Sequence, residues 1–204
     1  MFENRTNAGE LLGLKLSSCK ESGYLLVAIP RGGVVVGKAI SDMLGIPLTF
    51  VLTRKIGAPG QSELAIGAVA SGGIIVRDEK LISDLSVSEK YINKEIKKEK
   101  KVIAERLKKY GKSTVSLRGK RAILVDDGIA TGATVKAAIG YLREQGAGKV
   151  VLAVPVAPKD TIAELKPLVD KIVVLNTPDD FSSVGQFYRY FPQVTDEEVV
   201  SLLK

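Results

Sequence analysis

The hydrophobic and polar positions along the chain alternate in a way that predicts strands followed by helices. Short apolar runs, several of them rich in β-branched residues as buried strands are, lie at 24–29, 47–53, 122–125, 149–156 and 170–175. Helical periodicity is found at 2–18, 34–44, 135–142 and 161–168. A strand, a helix and a second strand in succession favour a parallel pair with a right-handed crossover. We therefore expect an α/β fold, with an open parallel sheet of about five strands flanked by helices.

A long basic helix is predicted at about 86–110. Five apolar residues recur on one face at helical spacing: Ile92, Ile96, Ile103, Leu107 and Tyr110. Lys and Arg outnumber Glu on the remaining positions, which fits either a solvated surface or a nucleic-acid contact. Few aromatic side chains are interleaved with these charges, so a solvated surface is favoured over a nucleic-acid partner. The apolar face could pair with another copy of the chain and give a homo-oligomer.

The most informative stretch runs from Arg121 to Thr134. An apolar strand ends in two adjacent carboxylates, Asp126 and Asp127, and a loop of small residues then leads into a helix. The free N–H groups of such a loop and the positive end of the helix dipole can bind a phosphate. Carboxylates at the carboxyl end of the strand are suited to the hydroxyls of a sugar attached to that phosphate. The loop residues are Gly128, Ile129, Ala130, Thr131, Gly132, Ala133 and Thr134.

A second candidate site follows the first predicted strand. Arg31 and the paired glycines Gly32 and Gly33 form a turn in which the backbone can approach a ligand closely. The guanidinium of Arg31 offers a planar fork of donors for a diphosphate. Arg54 and Lys55 end the second predicted strand and add two cations. Phosphate-binding groups are therefore predicted at three strand ends.

Composition and charge limit the kinds of reaction and ligand that the protein can accommodate. The 204 residues fit a single domain with a sizeable core, and 45% hydrophobic and 26% charged residues are ordinary for a globular protein. With no histidine in the sequence, acid–base chemistry must be carried out by carboxylates, Lys, Tyr or the substrate. Mg²⁺, which prefers oxygen ligands, remains a candidate metal. One cysteine, no apolar run of membrane length and no signal-peptide pattern favour a cytoplasmic location. The net charge of +7 suits phosphorylated substrates or nucleic acid.

The stretch from Arg121 to Thr134 resembles the binding motif of the type I phosphoribosyltransferases, which hold phosphoribosyl pyrophosphate (PRPP). The Arg-Gly-Gly turn is similar to the pyrophosphate loop of that family. The chain is most similar to bacterial and archaeal predicted phosphoribosyltransferases whose substrate is not assigned. The resemblance implies a Rossmann-like parallel sheet with a small hood formed from the chain termini, its C-terminal part at about 177–204. It also implies transfer of phosphoribose from PRPP to a nucleobase nitrogen with release of pyrophosphate.

The resemblance assigns a role to each part of the site. Asp126 and Asp127 would hold the ribose hydroxyls and Mg²⁺, the metal in part through bound water. The loop at 129–134 would bind the 5-phosphate. The residues expected to face pyrophosphate are Arg31, Gly32, Gly33, Arg54 and Lys55.

A Gly- and Ala-rich segment at 57–73 lies where the family places a mobile loop over the reacting ribose, and a surface hairpin fits it equally well. Glu63 is the one carboxylate of this segment and is the candidate general base. Ala130 stands where the hypoxanthine-guanine enzymes have an aspartate thought to accept the purine proton, which argues against a 6-oxopurine acceptor. Either Glu63 takes the proton or the base binds as an anion.

An alternative is a protein of this fold that binds PRPP but acts as a regulator, contacting nucleic acid without turnover. The basic helix would support that function. The presence of Arg31 and of the Arg54 and Lys55 pair favours an enzyme.

Overall fold

The computed structural model describes residues 1–20, 23–111 and 116–204. Its strands are β1 (Tyr24–Ala28), β2 (Leu48–Phe50), β3 (Thr53–Ala58), β4 (Gln61–Ala70), β5 (Ile75–Arg77), β6 (Arg121–Val125), β7 (Lys149–Val156) and β8 (Lys171–Asn176). Its helices are α1 (Arg5–Lys15), α2 (Gly32–Leu44), α3 (Glu79–Asp84), α4 (Glu89–Tyr110), α5 (Ala133–Glu144), α6 (Lys159–Leu165) and α7 (Asp196–Leu202). Short 3₁₀ turns lie at 17–19, 71–73, 166–168 and 184–187.

Five strands form a parallel sheet in the order β2-β1-β6-β7-β8. Val27 pairs with Thr49 on one side and with Leu124 on the other, and Leu124 pairs with Leu152. Helices α1 and α2 pack on one face of the sheet, whereas α5 and α6 pack on the other. Burial on both faces explains why the strands are near-continuous apolar runs. The predicted α/β fold with a five-stranded parallel sheet is confirmed.

The strand order reverses between β1 and β6. The chain passes from β1 outward to β2 at one edge, whereas β6, β7 and β8 proceed toward the other. Because the connections diverge at this point, the carboxyl ends of the two strands leave a crevice, where open α/β sheets bind ligands. The N–H of Ile29 donates to the carbonyl of Val125 at 2.9 Å, so the segments after β1 and β6 begin side by side.

Strands β3, β4 and β5 form a second, antiparallel sheet that the sequence pattern did not predict. The single strand expected at 47–53 is divided, because β2 ends at Phe50 and β3 begins at Thr53 in the other sheet. Arg54 and Lys55 therefore lie inside β3 and not at the end of a strand of the parallel sheet. The segment at 57–73 takes the hairpin form, most of it as strand β4.

Small residues let the second sheet pack closely against helix α5. Ala68 and Ala70 of β4 are buried against Ala137 of α5. A Cβ atom at Gly67 would overlap the carbonyl oxygen of Val76 on β5. Ala and Gly are weak strand formers, so close packing, which is not visible in the local sequence, makes this segment a strand.

Helix α4 covers the outer face of the second sheet. Ile92 and Ile103 are buried in a cluster with Phe50, Ile56 and Val199. The prediction that this apolar face pairs with another copy of the chain is wrong, because the chain's own strands and α7 cover it. Neither α4 nor any other helix in the described part of the chain is long and apolar enough to cross a membrane.

The chain termini meet in a small hood beside the parallel sheet. The N–H of Phe2 donates to Phe187 O, and the N–H of Arg189 donates to Phe2 O, both at 2.8 Å. The ring of Tyr188 lies 5.3 Å from that of Phe2 and 4.8 Å from that of Phe191, centroid to centroid. These contacts join the two termini, and the aromatic side chains of the hood pack on one another.

Asp196, the first residue of α7, attaches this helix to the end of α4. The hydroxyl of Tyr110 donates to Asp196 Oδ1 at 2.5 Å, and Lys109 Nζ lies 3.3 Å from Oδ2. The hydrogen bond from Tyr110, with a smaller contribution from Lys109, holds the pKa of Asp196 below its usual value.

We expect Tyr110→Phe to lower the free energy of unfolding by about 1.5 kcal/mol at pH 7, because a hydrogen bond to a charged group is lost. A carboxylate whose pKa is lowered by folding stabilises the protein above its unfolded pKa of about 4, and the effect disappears as the pH falls through the lowered value. The difference in the free energy of unfolding between variant and wild type should therefore become smaller at acidic pH. Urea unfolding at neutral and acidic pH measures this difference.

Tyr141→Phe is the matched control, because burial alone raises the pKa of Tyr141. A substitution of this kind should change stability by less than about 0.5 kcal/mol. Equal losses of unfolding free energy in the two variants would show that the Tyr110–Asp196 hydrogen bond does not stabilise the α4–α7 contact. A destabilisation by Tyr110→Phe that is unchanged at acidic pH would show the same.

Candidate active site

The Arg31-Gly32-Gly33 turn and the acidic pair meet at the crevice between β1 and β6. A Cβ atom at Gly33 would lie 2.9 Å from Val125 O and 3.0 Å from Asp126 Cα. A Cβ atom at Gly32 would overlap Asp127 Oδ2. Glycine is therefore required at both positions for this approach. The structure brings together two groups that lie far apart in the sequence.

The turn after β1 also shapes the start of α2. The peptide bond between Pro30 and Arg31 is cis, and α2 begins at Gly32. The guanidinium of Arg31 points toward α7, with its Nη1 atom 3.9 Å from Asp196 Oδ1. The side chain of Arg31 thus contacts Asp196 of α7. The backbone that follows it begins α2 beside the acidic pair.

The two adjacent aspartates form a half-buried, strongly interacting pair. Asp126 Oδ1 accepts the N–H of Asp127 at 2.8 Å. Burial, and after it the negative charge of Asp127, raises the pKa of Asp126 well above its usual value. Burial also raises the pKa of Asp127, against the opposing effect of the Arg5 guanidinium. Two neighbouring carboxylates of this kind attract a cation or hydroxyl donors.

The loop after the acidic pair borders a cavity of about 260 Å³. The cavity is lined by Gly128, Ile129, Ala130, Thr131, Gly132, Ala133 and Thr134 together with Lys55, Glu63, Ala65 and Val184. Gly132 has a left-handed backbone (φ 76°) and leads directly into α5. The cavity therefore joins the predicted phosphate loop to the β3–β4 hairpin.

Two hydrogen bonds fix the loop to the neighbouring strand and helix. The N–H of Ile129 donates to Val156 O at 2.9 Å, and the hydroxyl of Thr161 donates to Ala130 O at 2.8 Å. Ile129 is among the residues predicted to bind phosphate, but its N–H is already used. Its buried side chain instead packs in the core.

The remaining predicted residues are distributed along the hairpin. Lys55 Nζ and Glu63 Oε2 form an ion pair of 2.8 Å at the mouth of the loop cavity, where the Glu63 side chain is 92% exposed. The hydrogen bond and charge of Lys55 lower the pKa of Glu63. Arg54 turns the other way, and its Nε donates to the buried Glu99 of α4 at 2.7 Å. Arg31, Arg54 and Lys55, predicted as one pyrophosphate group, thus each contact a different carboxylate.

A family model described as a phosphoribosyl transferase domain matches residues 7–192. The chain belongs to the phosphoribosyl transferase family. Two Mycobacterium tuberculosis proteins (strains CDC 1551 and H37Rv), provisionally named phosphoribosyl transferases, are 38% identical to this phosphoribosyl transferase domain over 205 residues. The alignment covers 100% of this chain and 46% of each relative, so the chain spans about half the length of these relatives.

Two solved structures extend the comparison. The crystal structure of TT1426 from Thermus thermophilus matches with a TM-score of 0.82 at 36% identity, covering 100% of this chain and 97% of that one. The purine phosphoribosyltransferase from Pyrococcus horikoshii matches with a TM-score of 0.52 at 17% identity, covering 94% and 91%. The second likeness shows that this phosphoribosyl transferase domain shares the fold of that enzyme.

Two residues of the candidate site were not predicted from the sequence. Arg5 of α1 donates through Nε to Asp127 Oδ2 at 2.7 Å, and the hydroxyl of Tyr188 donates to Asp127 O at 2.6 Å. Both come from the terminal hood, more than sixty residues from the motif in sequence. Neither lies in a recognisable pattern, so only the folded structure identifies them.

We expect Gly32→Ala to lower the free energy of unfolding by about 2 kcal/mol, because the added methyl group must displace the Asp127 carboxylate that Arg5 holds in place. Gly140→Ala on α5 is the control, since its Cβ would meet a single Ile74 methyl group, at 3.1 Å, and no backbone atom. The gain in helix propensity, up to about 1 kcal/mol, is opposed by that close contact, so the free energy of unfolding should change by less than about 1 kcal/mol in either direction. Urea unfolding of both variants compares the two sites, and equal stabilities would contradict the tight packing of the turn on the acidic pair.

Proposed function

We propose that the chain transfers phosphoribose from PRPP to a nucleobase nitrogen and releases pyrophosphate. The observation that carries this proposal is the contact between the Gly32-Gly33 turn and the Asp126-Asp127 pair at the point where the strand order reverses. The Arg-Gly-Gly turn, the pair of carboxylates and the loop cavity, proposed here to bind diphosphate, ribose and 5-phosphate, follow one another along a single edge of the sheet. PRPP carries the same three groups in the same order.

The 5-phosphate is assigned to the cavity at 128–134. Thr131 and Thr134 line it with hydroxyl groups, and α5 begins at its base. The N-terminus of a helix and the amides of a small-residue loop favour a dianion. This combination supports phosphate binding by backbone donors, from Ala130 onward, and by two hydroxyl groups.

The ribose is assigned to the acidic pair, and Mg²⁺ fits the oxygen donors there. Within the described residues, no group of three or more acidic, His or Cys side chains could hold a metal by itself. Asp126 and Asp127 would therefore supply two carboxylates, and the remaining ligands would be oxygens of PRPP and water. When bound, Mg²⁺ neutralises charge on the departing pyrophosphate and helps to orient the ribose. The raised pKa values of the pair are consistent with a site that gains from a cation.

Pyrophosphate is assigned to the turn at Arg31, Gly32 and Gly33, with Arg54 and Lys55 on the hairpin. Catalysis of this transfer depends on positioning and on stabilising the leaving diphosphate as the ribosyl carbon becomes cationic. In the present structure each of the three cations contacts a protein carboxylate. Binding of pyrophosphate would exchange the partners of Arg31 and Lys55 for phosphate oxygens, whereas Arg54 would contribute its positive charge while it stays paired with the buried Glu99.

Glu63 is proposed as the proton acceptor once Lys55 engages pyrophosphate. Its ion pair with Lys55 lowers its pKa and makes it a weaker base. Transfer of Lys55 to a phosphate oxygen would remove that effect, so the base would be strengthened only when PRPP is bound. An acceptor that binds as an anion would not need this step.

The setting we propose is nucleotide metabolism in the cytoplasm. The transfer is tested by phosphorus NMR of the protein with PRPP, Mg²⁺ and a pool of nucleobases. We expect pyrophosphate to accumulate only when a base is present. PRPP resonances that broaden without turnover would instead favour the regulatory alternative, in which the basic helix α4 contacts nucleic acid. Unperturbed PRPP resonances would refute the proposed site.

We expect Asp126→Asn to weaken PRPP binding by about tenfold or more, because it removes a ribose and metal ligand. Asp126 is the better of the two aspartates for this test, since loss of the Asp127 charge would leave Arg5 buried without its partner. Asp179→Asn is the control, because Asp179 is an exposed aspartate that pairs with Lys159 away from the crevice. Calorimetric titration with PRPP and Mg²⁺ measures the affinities, and equal affinity of the two variants would contradict the ribose assignment.

A further inference from the structure

Arg5 is a buried cation that contacts the acidic pair from outside the motif. It lies in the first turn of α1 and is only 8% exposed. Burying a guanidinium costs several kcal/mol unless charge pairing and hydrogen bonds offset the loss of water. The contacts of Arg5 therefore show which interactions offset the cost of its burial.

Three contacts fix the guanidinium plane. Its Nε atom donates to Asp127 Oδ2 at 2.7 Å, and its Nη1 atom donates to the carbonyl of Pro192 at 2.8 Å. Its central carbon lies 3.7 Å from the centroid of the Phe191 ring, in a cation–π arrangement. A planar fork can satisfy these three directions together, whereas the single ammonium of a lysine cannot. The hood thus determines where Arg5 points.

Asp127 is in turn held on three sides. Arg5 occupies its Oδ2 atom, the hydroxyl of Tyr188 donates to its carbonyl oxygen, and Gly32 packs against its carboxylate. Rotation of the carboxylate would break the Arg5 hydrogen bond. Because Arg5 occupies Oδ2, a ligand would reach the Asp127 carboxylate through Oδ1.

We propose that Arg5 is a positioning residue for the phosphoribosyl transfer, an inference that rests on the proposed function. It holds the Asp127 carboxylate in one orientation, so that Oδ1 is directed to a ribose hydroxyl or to hydrated Mg²⁺. It also makes the two aspartates unequal, because its guanidinium forms an ion pair with the Asp127 carboxylate. The hood therefore contributes to binding of the sugar phosphate as well as forming a cap.

The experiment is calorimetric titration of the full chain with PRPP and Mg²⁺. Arg5→Gln should raise the dissociation constant by about tenfold or more, as loss of a residue that orients a metal ligand does. Arg5→Lys should restore part of the affinity, because it keeps the charge but not the fork. Thermal unfolding in the absence of ligand checks that each variant is folded.

Two controls separate positioning from stability. Phe191→Leu removes one of the three contacts that fix the Arg5 plane but leaves the Asp127 hydrogen bond, so it should lower thermal stability and raise the dissociation constant clearly less than Arg5→Gln does. Arg189→Gln removes an exposed arginine of the same hood, which pairs with Glu3, and should change neither property.

Wild-type affinity in folded Arg5→Gln would overturn the positioning role while leaving the proposed function intact. Equal affinity losses in Arg5→Gln and Phe191→Leu would also overturn it, because a general loosening of the hood would then account for both. Failure of the wild-type chain to bind PRPP would refute the proposed function, and the role of Arg5 with it.

Discussion

The central constraint on this structure is the partial burial of two adjacent carboxylates at the carboxyl end of β6. Burial raises the pKa values of both groups, and the charge of Asp127 raises that of Asp126 further, so their ionised forms need compensation from the surrounding fold. The compensation comes from Arg5, from hydrogen bonds and, in the proposed function, from Mg²⁺ and ribose hydroxyls. A site that costs stability without its ligand is typical of a binding centre.

The rest of the fold serves to hold that pair in place. The parallel sheet brings the turn after β1 against it, and glycines at 32 and 33 allow a contact that any side chain would block. The terminal hood reaches it through Arg5 and Tyr188. The second sheet supplies Lys55 and Glu63 at the mouth of the loop cavity. Elements from the whole length of the chain therefore converge on a few residues.

The sequence predicted the parallel sheet and its binding motif because both depend on local pattern. Apolar runs indicate buried strands, and acidic and small residues at a strand end indicate a ligand. It did not predict the second sheet, where Ala and Gly form strands only because they pack on α5. Nor could it reveal Arg5, or the pairing of Arg54 with Glu99, since such long-range charge pairs leave no local signal. Tertiary contacts decided those features.

The most direct test of the central claim is a crystal structure of the chain with PRPP and Mg²⁺. We predict that the 5-phosphate lies within hydrogen-bonding distance, about 3 Å, of backbone N–H groups at 130–134, with the ribose hydroxyls at Asp126 and Asp127. The same molecule offers an alternative binding place, because Arg77, Lys80 and Lys136 line an adjoining cavity of about 470 Å³ that shares Thr131 and Ala133 with the loop cavity. The sugar phosphate in that cavity, with the acidic pair uncontacted, would contradict the proposed site.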